Sequence, residues 1–331
     1  MVIDSGIGKS LSIIYHSTMN KESLTVICPA FNEEEVIREF YDQLSAVLNH
    51  LESVEWTILF VLDPCNDATE TILIDIANKN KKVKIITLSR RFGHQMSLVA
   101  GIDNTDSDMI IMMDSDLQHP PELIPEMIEQ YRSGNDVIYT IRDFPADTNP
   151  IKRLGSKSFY KLMSQISDID LIQGEADYRL ISRRVANIFK TSIRERNQFL
   201  RGLFNWVGFK RVGIHYKPRS RALGKSKYSF STMFSFASTG IISFSKKPLE
   251  YSVFIGIIFA LLGILFSAYA FIDYFINDQI PSGWTSLGIL VSFFSAVQLI
   301  VLGVLAQYIG SIYEEVKSRP LYLIEKKINL D

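Results

Sequence analysis

Short apolar runs alternate with segments of helical spacing through the first half of this 331-residue chain. The apolar runs have the length of buried strands and lie at 24–28, 56–62, 83–88, 109–113 and 137–141. Between them, apolar residues recur at helical spacing over 33–51, 68–78, 94–104 and 122–133. This alternation predicts an α/β fold in which helices cover a mainly parallel sheet.

Two long apolar stretches set the C-terminal third apart from the rest of the chain. No charged residue occurs within 251–272 or within 280–313. Each stretch can supply the roughly 20 apolar residues that a helix needs to cross a bilayer. We therefore predict two transmembrane helices within 249–313, preceded by an amphipathic interfacial helix over 229–248.

The basic residues around these stretches predict their orientation. Lys246 and Lys247 precede the first stretch, Lys317 and Arg319 follow the second, and the connector 273–283 holds no Lys or Arg. Because cytoplasmic flanks carry the excess of positive charge, both ends of the hairpin and the domain before it are expected in the cytoplasm. The first 24 residues lack the apolar core of a signal peptide. The hairpin is thus expected to hold the protein in the cell (inner) membrane.

The net charge of −1 hides a basic block in front of the first apolar stretch. Between 194 and 227 the chain has ten basic residues and a single acidic one. Such a block can face anionic headgroups in general or bind one lipid phosphate. We favour the lipid phosphate because basic residues crowd around Gly224, and these are Arg219, Arg221, Lys225 and Lys227. The basic residues lack an interleaved aromatic platform near the sheet, so nucleic acid is not an expected partner.

Asp114 and Asp116 directly follow the apolar run at 109–113. In an extended chain, residues two apart point to the same side, so both carboxylates can face one divalent cation, Mg²⁺ or Mn²⁺. A solvated turn with a helix cap is the alternative interpretation of the same residues. Polar residues also follow the first three strands, at 29–34, 63–67 and 90–94. In parallel sheets the ligand lies beyond these strand ends, which favours the metal interpretation.

Five ordered motifs resemble those of the family 2 polyprenyl-phosphate glycosyltransferases, the bactoprenol- and dolichol-phosphate sugar transferases. The motifs are Pro-Ala-Phe-Asn-Glu-Glu at 29–34, Asp-Ser-Asp-Leu-Gln-His-Pro-Pro at 114–121, Tyr-Arg-Leu at 178–180, Asn-Gln-Phe-Leu-Arg-Gly at 197–202 and Gly-Lys-Ser-Lys-Tyr at 224–228. The resemblance extends over about 23–319 and implies a GT-A fold. It implies an N-terminal extension at 1–22 and a cytoplasmic glycosyltransferase domain at 23–228. The predicted interfacial helix and hairpin follow this domain, and a cytoplasmic tail at 314–331 follows the hairpin.

The resemblance also implies roles for individual residues. Asp116 would bind the metal, with Asp114 and Gln118 supporting the same site, and Asp177 stands where the family has its proposed catalytic carboxylate. The nucleotide sugar would contact Pro29, Phe31, Asn32, Glu33, Asp63, His94, Asp114 and Ser115. Phosphate groups of the donor or of the lipid would be held by Arg179, Arg201, Arg219, Arg221, Lys225 and Lys227.

Two places depart from the family pattern. Many relatives have two aspartates and a glycine at the end of the second strand, where this chain has Leu62, Asp63 and Pro64. Many also have lysine in place of His94. These departures leave the metal site intact and concern base recognition and the contact with the diphosphate.

The expected reaction is the inverting transfer of a single sugar, glucose from UDP-glucose, to a polyprenyl phosphate such as undecaprenyl phosphate. A phosphate monoester is mostly dianionic at neutral pH because its second pKa lies near 6, so a strong general base is hardly needed. Asp177 is then expected to orient a substrate and to stabilise positive charge on the sugar, a capping role being the alternative.

Two other functions remain open from the sequence. A processive polysaccharide synthase would fit the Gln-Phe-Leu-Arg of 198–201, although Gly202 stands where such synthases usually have tryptophan. A non-catalytic nucleotide-binding membrane scaffold would fit the departures at Leu62 and His94. Small residues in the first apolar stretch could allow close helix contacts and hence a homo-oligomer.

Overall fold

The computed structural model describes residues 21–143, 172, 174–218, 245–276 and 283–330. Its strands are β1 (Glu22–Ala30), β2 (Val54–Leu62), β3 (Val83–Leu88), β4 (Met109–Met112), β5 (Val137–Arg142), β6 (Glu175–Ser182), β7 (Arg211–Tyr216) and β8 (Ile324–Ile328). Its helices are α1 (Ile37–Asn49), α2 (Thr69–Lys79), α3 (His94–Asp103), α4 (Ile124–Arg132), α5 (Arg183–Thr191), α6 (Leu200–Trp206), α7 (Lys247–Ile276) and α8 (Trp284–Val316), with a 3₁₀ turn at Pro121–Leu123.

All of these strands form one sheet in the order β7-β5-β6-β4-β1-β2-β3-β8. The central strands β3, β2, β1 and β4 run parallel, as do β5 and β7, whereas β6 and β8 pair antiparallel with their neighbours. The predicted α/β fold of GT-A type with a mainly parallel sheet is confirmed.

Two apolar layers cover the sheet, one on each face. Helices α1, α2 and α4 pack on one face, and α3, α5 and α6 pack on the other. Strands buried on both faces are almost continuously apolar, which explains why β1 to β4 were visible as short apolar runs. Helix α3 approaches β1 closely at Gly101, where a Cβ atom would collide with the side chain of Ile27. This close approach fixes α3, whose first residue is His94, against the centre of the sheet.

Helices α7 and α8 are long and apolar enough to cross a membrane, by length and composition. Large apolar side chains along them, such as Leu265 and Leu299, are exposed rather than packed in a core. The two helices contact each other through Phe259 and Phe293, whose ring centroids lie 5.5 Å apart. These helices match the predicted hairpin, while residues 229–244 of the predicted interfacial helix lie outside the described residues.

After α8 the chain returns to the sheet, which the sequence analysis did not predict. Strand β8 pairs antiparallel with β3, with Lys326 opposite Thr87. The hydroxyl of Tyr322 donates to the Asp103 carboxylate over 2.9 Å and anchors the segment before β8. Strand β7 precedes the two long helices and β8 follows them, so both ends of the helix pair join the same sheet.

Candidate active site

The loop that follows β4 is tied to the end of β1. The hydroxyl of Ser115, which is buried, donates to the carbonyl oxygen of Pro29 over 2.7 Å. Leu117 has a φ of 63°, in the left-handed region that costs energy for a side chain with a Cβ atom. Such strained residues persist only where the surroundings fix them, and they cluster at functional sites. The loop therefore holds Asp114 and Asp116 in set positions beyond the sheet.

Asp114 lies between two histidines. His94 Nε2 lies 2.6 Å from one of its carboxylate oxygens, and His119 Nε2 lies 3.2 Å from the other. Burial raises the pKa of Asp114, but the charges and hydrogen bonds of both histidines outweigh this, and the pKa lies well below its usual range. Burial lowers the pKa of His94, but Asp114 outweighs that effect and raises it to about 9. At neutral pH, His94 is therefore positively charged.

A chain of hydrogen bonds fixes the orientation of His119, which the sequence analysis did not assign a role. The Nε of Arg142 donates to the hydroxyl oxygen of Tyr216 over 3.0 Å, and that hydroxyl lies 2.9 Å from His119 Nδ1. The Nε2 atom of the same ring faces Asp114, so the imidazole is held between Tyr216 and that carboxylate. His119 is buried beside the ring of Tyr178. Only its place in the motif at 114–121 marked it in the sequence.

Asp116 pairs with Gln118 in the same loop. Its carboxylate accepts from the backbone N–H of Gln118 over 3.1 Å and from the side-chain amide over 2.7 Å. Carboxylate and amide oxygens are the hard ligands that Mg²⁺ and Mn²⁺ prefer. Among the described residues, no group of three or more His, Cys, Asp or Glu side chains could hold a metal unaided. These residues therefore fit a metal that binds together with the phosphates of a substrate.

Asp177 on β6 is held by Arg201 on α6. The Nε and Nη2 atoms of Arg201 donate to the two carboxylate oxygens over 3.0 and 2.9 Å. Burial raises the pKa of Asp177, but the charge and hydrogen bonds of Arg201 outweigh it and hold the pKa well below its usual range. The charge of Asp177 also helps to raise the pKa of His94. The two predicted carboxylates, Asp114 and Asp177, thus lie within electrostatic reach of one imidazole.

Arg179, a predicted phosphate ligand, is buried. Its side chain is only 1% exposed, and its guanidinium stacks over the ring of Phe204 at 4.7 Å. The guanidinium donates to the carbonyl oxygen of Ala176 over 3.0 Å and lies 3.7 Å from the carboxylate of Asp177. Its charge helps to lower the pKa of Asp177. Its predicted contact with a phosphate stays a prediction.

The carboxylate of Asp63 is turned toward the loop after β3. One oxygen accepts from the backbone N–H of Phe92 over 2.9 Å, and the other accepts from that of Gly93 over 3.0 Å. Gly93 has a φ of 91°, which glycine adopts without a Cβ penalty. Asp63 thereby fixes the loop that leads into His94. Its predicted contact with a nucleotide base stays a prediction.

The loop after β1 is bound to the loop after β2. Asn32, with a φ of 55°, accepts from the backbone N–H of Asn66 over 2.9 Å. The backbone N–H of Glu33 donates to the hydroxyl of Thr69 over 2.8 Å. Phe31 in the same loop lies under the guanidinium of Arg91, 4.2 Å from its ring centroid. Phe31, Asn32 and Glu33 therefore line the same edge of the sheet as Asp63.

The structure brings together most of the predicted site at the carboxyl ends of β1, β2, β3 and β4. Asp177 and Arg201 join it from β6 and α6, and the amide oxygen of Gln95 links the two halves by accepting from the backbone N–H of Leu200 over 3.2 Å. The remaining predicted phosphate ligands lie outside the described residues, and they are Arg219, Arg221, Lys225 and Lys227.

Comparison with known proteins agrees with this architecture. Residues 25–189 match the model of the family described as Glycosyl transferase family 2. The chain is 37% identical to the glycosyltransferase YkcC of Bacillus subtilis (strain 168), over 93% of this chain and 94% of that protein. It is 36% identical to the SfII prophage-derived bactoprenol glucosyl transferase of Shigella flexneri, over 92% of this chain and 97% of that protein.

Among solved structures, the chain is similar to glucosyl-3-phosphoglycerate synthase from Mycobacterium tuberculosis. The similarity covers 67% of this chain and 78% of that chain, at 15% identity and a TM-score of 0.45. The relatives that match along nearly the whole chain confirm the resemblance of the motifs. This chain therefore belongs to glycosyl transferase family 2.

Proposed function

We propose that the chain transfers a single glucose from UDP-glucose to a polyprenyl phosphate at the cytoplasmic face of a membrane, with inversion at the anomeric carbon. The observation that carries the proposal is the set of charges at the sheet edge: Asp114 and the Asp177–Arg201 pair all act on His94, and Asp116 lies in the same loop as Asp114. The same chain has two membrane-length helices. The bactoprenol glucosyl transferase from Shigella flexneri, similar along nearly its whole length, supports glucose and a polyprenyl phosphate as the substrates.

The donor would lie along the carboxyl ends of β1 to β4. Asp116, with Asp114 and Gln118, would hold Mg²⁺ or Mn²⁺, which offsets the negative charge of the leaving diphosphate. His94 is cationic at neutral pH and is the first residue of α3, where the helix dipole is positive, so it adds positive charge for the same diphosphate. Asp114 holds the imidazole of His94 in place, and His119 holds the carboxylate of Asp114.

The acceptor phosphate needs little help to become a nucleophile. Its second pKa lies near 6, so at neutral pH it is mostly dianionic. Asp177 is ionised and paired with Arg201, which makes it suited to orienting a substrate and to stabilising positive charge on the sugar ring. Attack by the phosphate from the face opposite the leaving diphosphate would invert the anomeric centre.

The two long helices would hold the site close to the headgroup layer of the membrane. A lipid phosphate stays in the headgroup layer, so the enzyme must bring its site there. Both ends of the helix pair join one sheet, which supports a hairpin with the glycosyltransferase domain on a single side. The basic flanks Lys246, Lys247, Lys317 and Arg319 favour the cytoplasmic side.

The experiment is sugar transfer from radiolabelled UDP-glucose to undecaprenyl phosphate by purified full-length protein in detergent, with Mg²⁺ or with chelator. We expect labelled lipid from the wild type only with metal, and none from Asp116→Ala. The matched control is Asp106→Ala, because Asp106 is 94% exposed and lies before β4, at the opposite end of that strand. Nucleotide binding without transfer from any nucleotide sugar would favour the scaffold instead.

A further inference from the structure

A pocket of about 430 Å³ lies beside the predicted donor site. Its lining comes from the loop after β2, the start of α2, the end of β3 and the strand β8, and consists of Pro64, Cys65, Glu70, Thr87, Glu325 and Lys326. The volume lies in the range of small-ligand pockets. One wall therefore comes from the segment that follows the two membrane-length helices.

Strand register decides which lysine of β8 faces the pocket. Lys326 lies opposite Thr87, whose hydroxyl donates to Glu70 over 3.2 Å, so Lys326 shares the face of the sheet that carries α2. Lys327 lies opposite Ile86, which packs in the apolar layer on the other face. Two adjacent exposed lysines thus point to opposite sides of the same strand.

The pocket adjoins residues predicted to bind the donor. The thiol of Cys65 donates to the carbonyl oxygen of Asp63 over 3.2 Å. The next residue, Asn66, donates its backbone N–H to the side chain of Asn32 over 2.9 Å. The wall formed by the loop after β2 is therefore continuous with both Asp63 and Asn32, which are predicted to bind the nucleotide of the donor.

The chemistry of the lining suits a neutral ring better than a phosphate. Glu70 and Glu325 are carboxylates that would repel a phosphate, whereas a ring N–H could donate to them. The ammonium of Lys326 could donate to a ring carbonyl oxygen. The edge of uracil offers this combination, with one N–H between two carbonyl oxygens.

We propose that Lys326, on the strand after the membrane-length helices, is a specificity-determining residue that binds the uracil base of the donor in this pocket together with Glu70. The proposal rests on the proposed function for the identity of the donor nucleotide. It gives β8 a part in substrate binding as well as in the fold. The membrane hairpin and the donor pocket would then be connected through one short segment of chain.

The test compares Lys326→Met with Lys327→Met in the full-length protein. Titration calorimetry would measure UDP binding, and displacement of UDP by uridine would report on the base without its phosphates. We expect Lys326→Met to weaken both UDP and uridine by about tenfold, the effect of losing one hydrogen bond to a charged group. Lys327→Met should bind both ligands like the wild type, and the thermal unfolding midpoints of the two variants should agree.

Two results would overturn the proposal. Equal UDP affinity in the two variants would show that Lys326 does not bind the nucleotide. A lower affinity for UDP with an unchanged affinity for uridine would show that Lys326 contacts a phosphate rather than the base. Binding is measured without sugar transfer, so the proposed function can fail separately. Lys326-dependent uridine binding in a wild type that transfers no glucose would support the pocket and refute the reaction.

Discussion

Arg201 holds Asp177 through two parallel hydrogen bonds, from Nε and Nη2 to the two carboxylate oxygens at 3.0 and 2.9 Å. A bidentate pair fixes the plane of the carboxylate as well as its charge. Asp177 is therefore oriented before any substrate binds. Its environment favours the anion, which suits electrostatic stabilisation of a cationic sugar more than removal of a proton.

The first prediction concerns Asp177→Asn. The amide keeps the shape but loses the charge, so we expect kcat to fall by about 100-fold or more, as when one preorganised electrostatic group is removed. Because its pKa in the folded protein lies below the ordinary value near 3.9, wild-type Asp177 is fully ionised throughout the neutral range. Its contribution to folding stability is lost only when the pH falls through that depressed pKa. The ratio of wild-type to variant kcat should thus be constant from pH 6 to pH 9. Recovery of the variant at high pH would contradict this assignment.

The second prediction concerns the coupling between the two residues of the pair. Arg201→Lys replaces the bidentate guanidinium by an ammonium that cannot make the same pair of hydrogen bonds, so kcat should fall although the positive charge remains. Because Arg201 is predicted to act on the reaction largely through Asp177, the double variant with Asp177→Asn should be about as active as Asp177→Asn alone. A double-mutant cycle on kcat measures this. Fully additive losses would mean that Arg201 contacts a substrate independently of Asp177.

The third prediction concerns the charge of His94. Its raised pKa makes it cationic at neutral pH, so His94→Lys should keep most of the activity, whereas His94→Gln should raise the donor KM by about tenfold. Steady-state kinetics at pH 7 separate the two variants. Equal losses in both would show that the shape of the imidazole, rather than its charge, is what the donor requires.

The fourth prediction concerns the order in which metal and nucleotide bind. The described residues offer no self-sufficient metal cluster, so Mn²⁺ affinity should rise by about tenfold or more when UDP is present, and UDP affinity should rise by the same factor with Mn²⁺. Calorimetry of each ligand with and without the other measures the coupling. Asp116→Ala should abolish it. Strong Mn²⁺ binding without nucleotide would contradict the account.

The fifth prediction concerns how the end of the chain is fastened to the sheet. The side-chain amide of Asn329 donates to the carbonyl oxygens of Ala77 and Val83, both over 2.8 Å. Asn329→Asp removes both donors without changing size, so the thermal midpoint should fall by a few degrees, roughly the effect of 1 to 2 kcal/mol. Asn78→Asp is the control, because Asn78 is exposed on α2. Equal midpoints would show that β8 does not depend on this anchor.

Local signals explain what the sequence could predict. Strands β1 to β5 are short, apolar and buried, and Asp114 and Asp116 stand immediately after one of them, so strand ends and the predicted metal site followed from spacing. Strand β8 escaped because its sequence, Ile-Glu-Lys-Lys-Ile, is mainly charged and its partner β3 is more than 200 residues away. Pairing at such a distance leaves no periodicity for a sequence pattern to detect.

Side-chain direction was also beyond the sequence. Arg179 lies two residues from Asp177 on the same face of β6, yet its guanidinium stacks over Phe204 and its side chain is buried. Asp63 sits where a base contact is expected, yet its oxygens receive backbone N–H groups from the next loop. His119 is oriented toward Asp114 by the hydroxyl of Tyr216, which comes from the distant strand β7. Each outcome depends on a tertiary neighbour.

The most direct test of the central claim is the anomeric configuration of the product formed from UDP-α-glucose and undecaprenyl phosphate by the purified full-length protein with Mg²⁺. Proton NMR of the isolated lipid product, through the coupling constant of the anomeric proton, distinguishes the two configurations. A single displacement at the site built around Asp114, Asp116 and Asp177 predicts a β-linked glucosyl phosphate. An α-linked product, or a polymer of several sugars on one lipid, would contradict it.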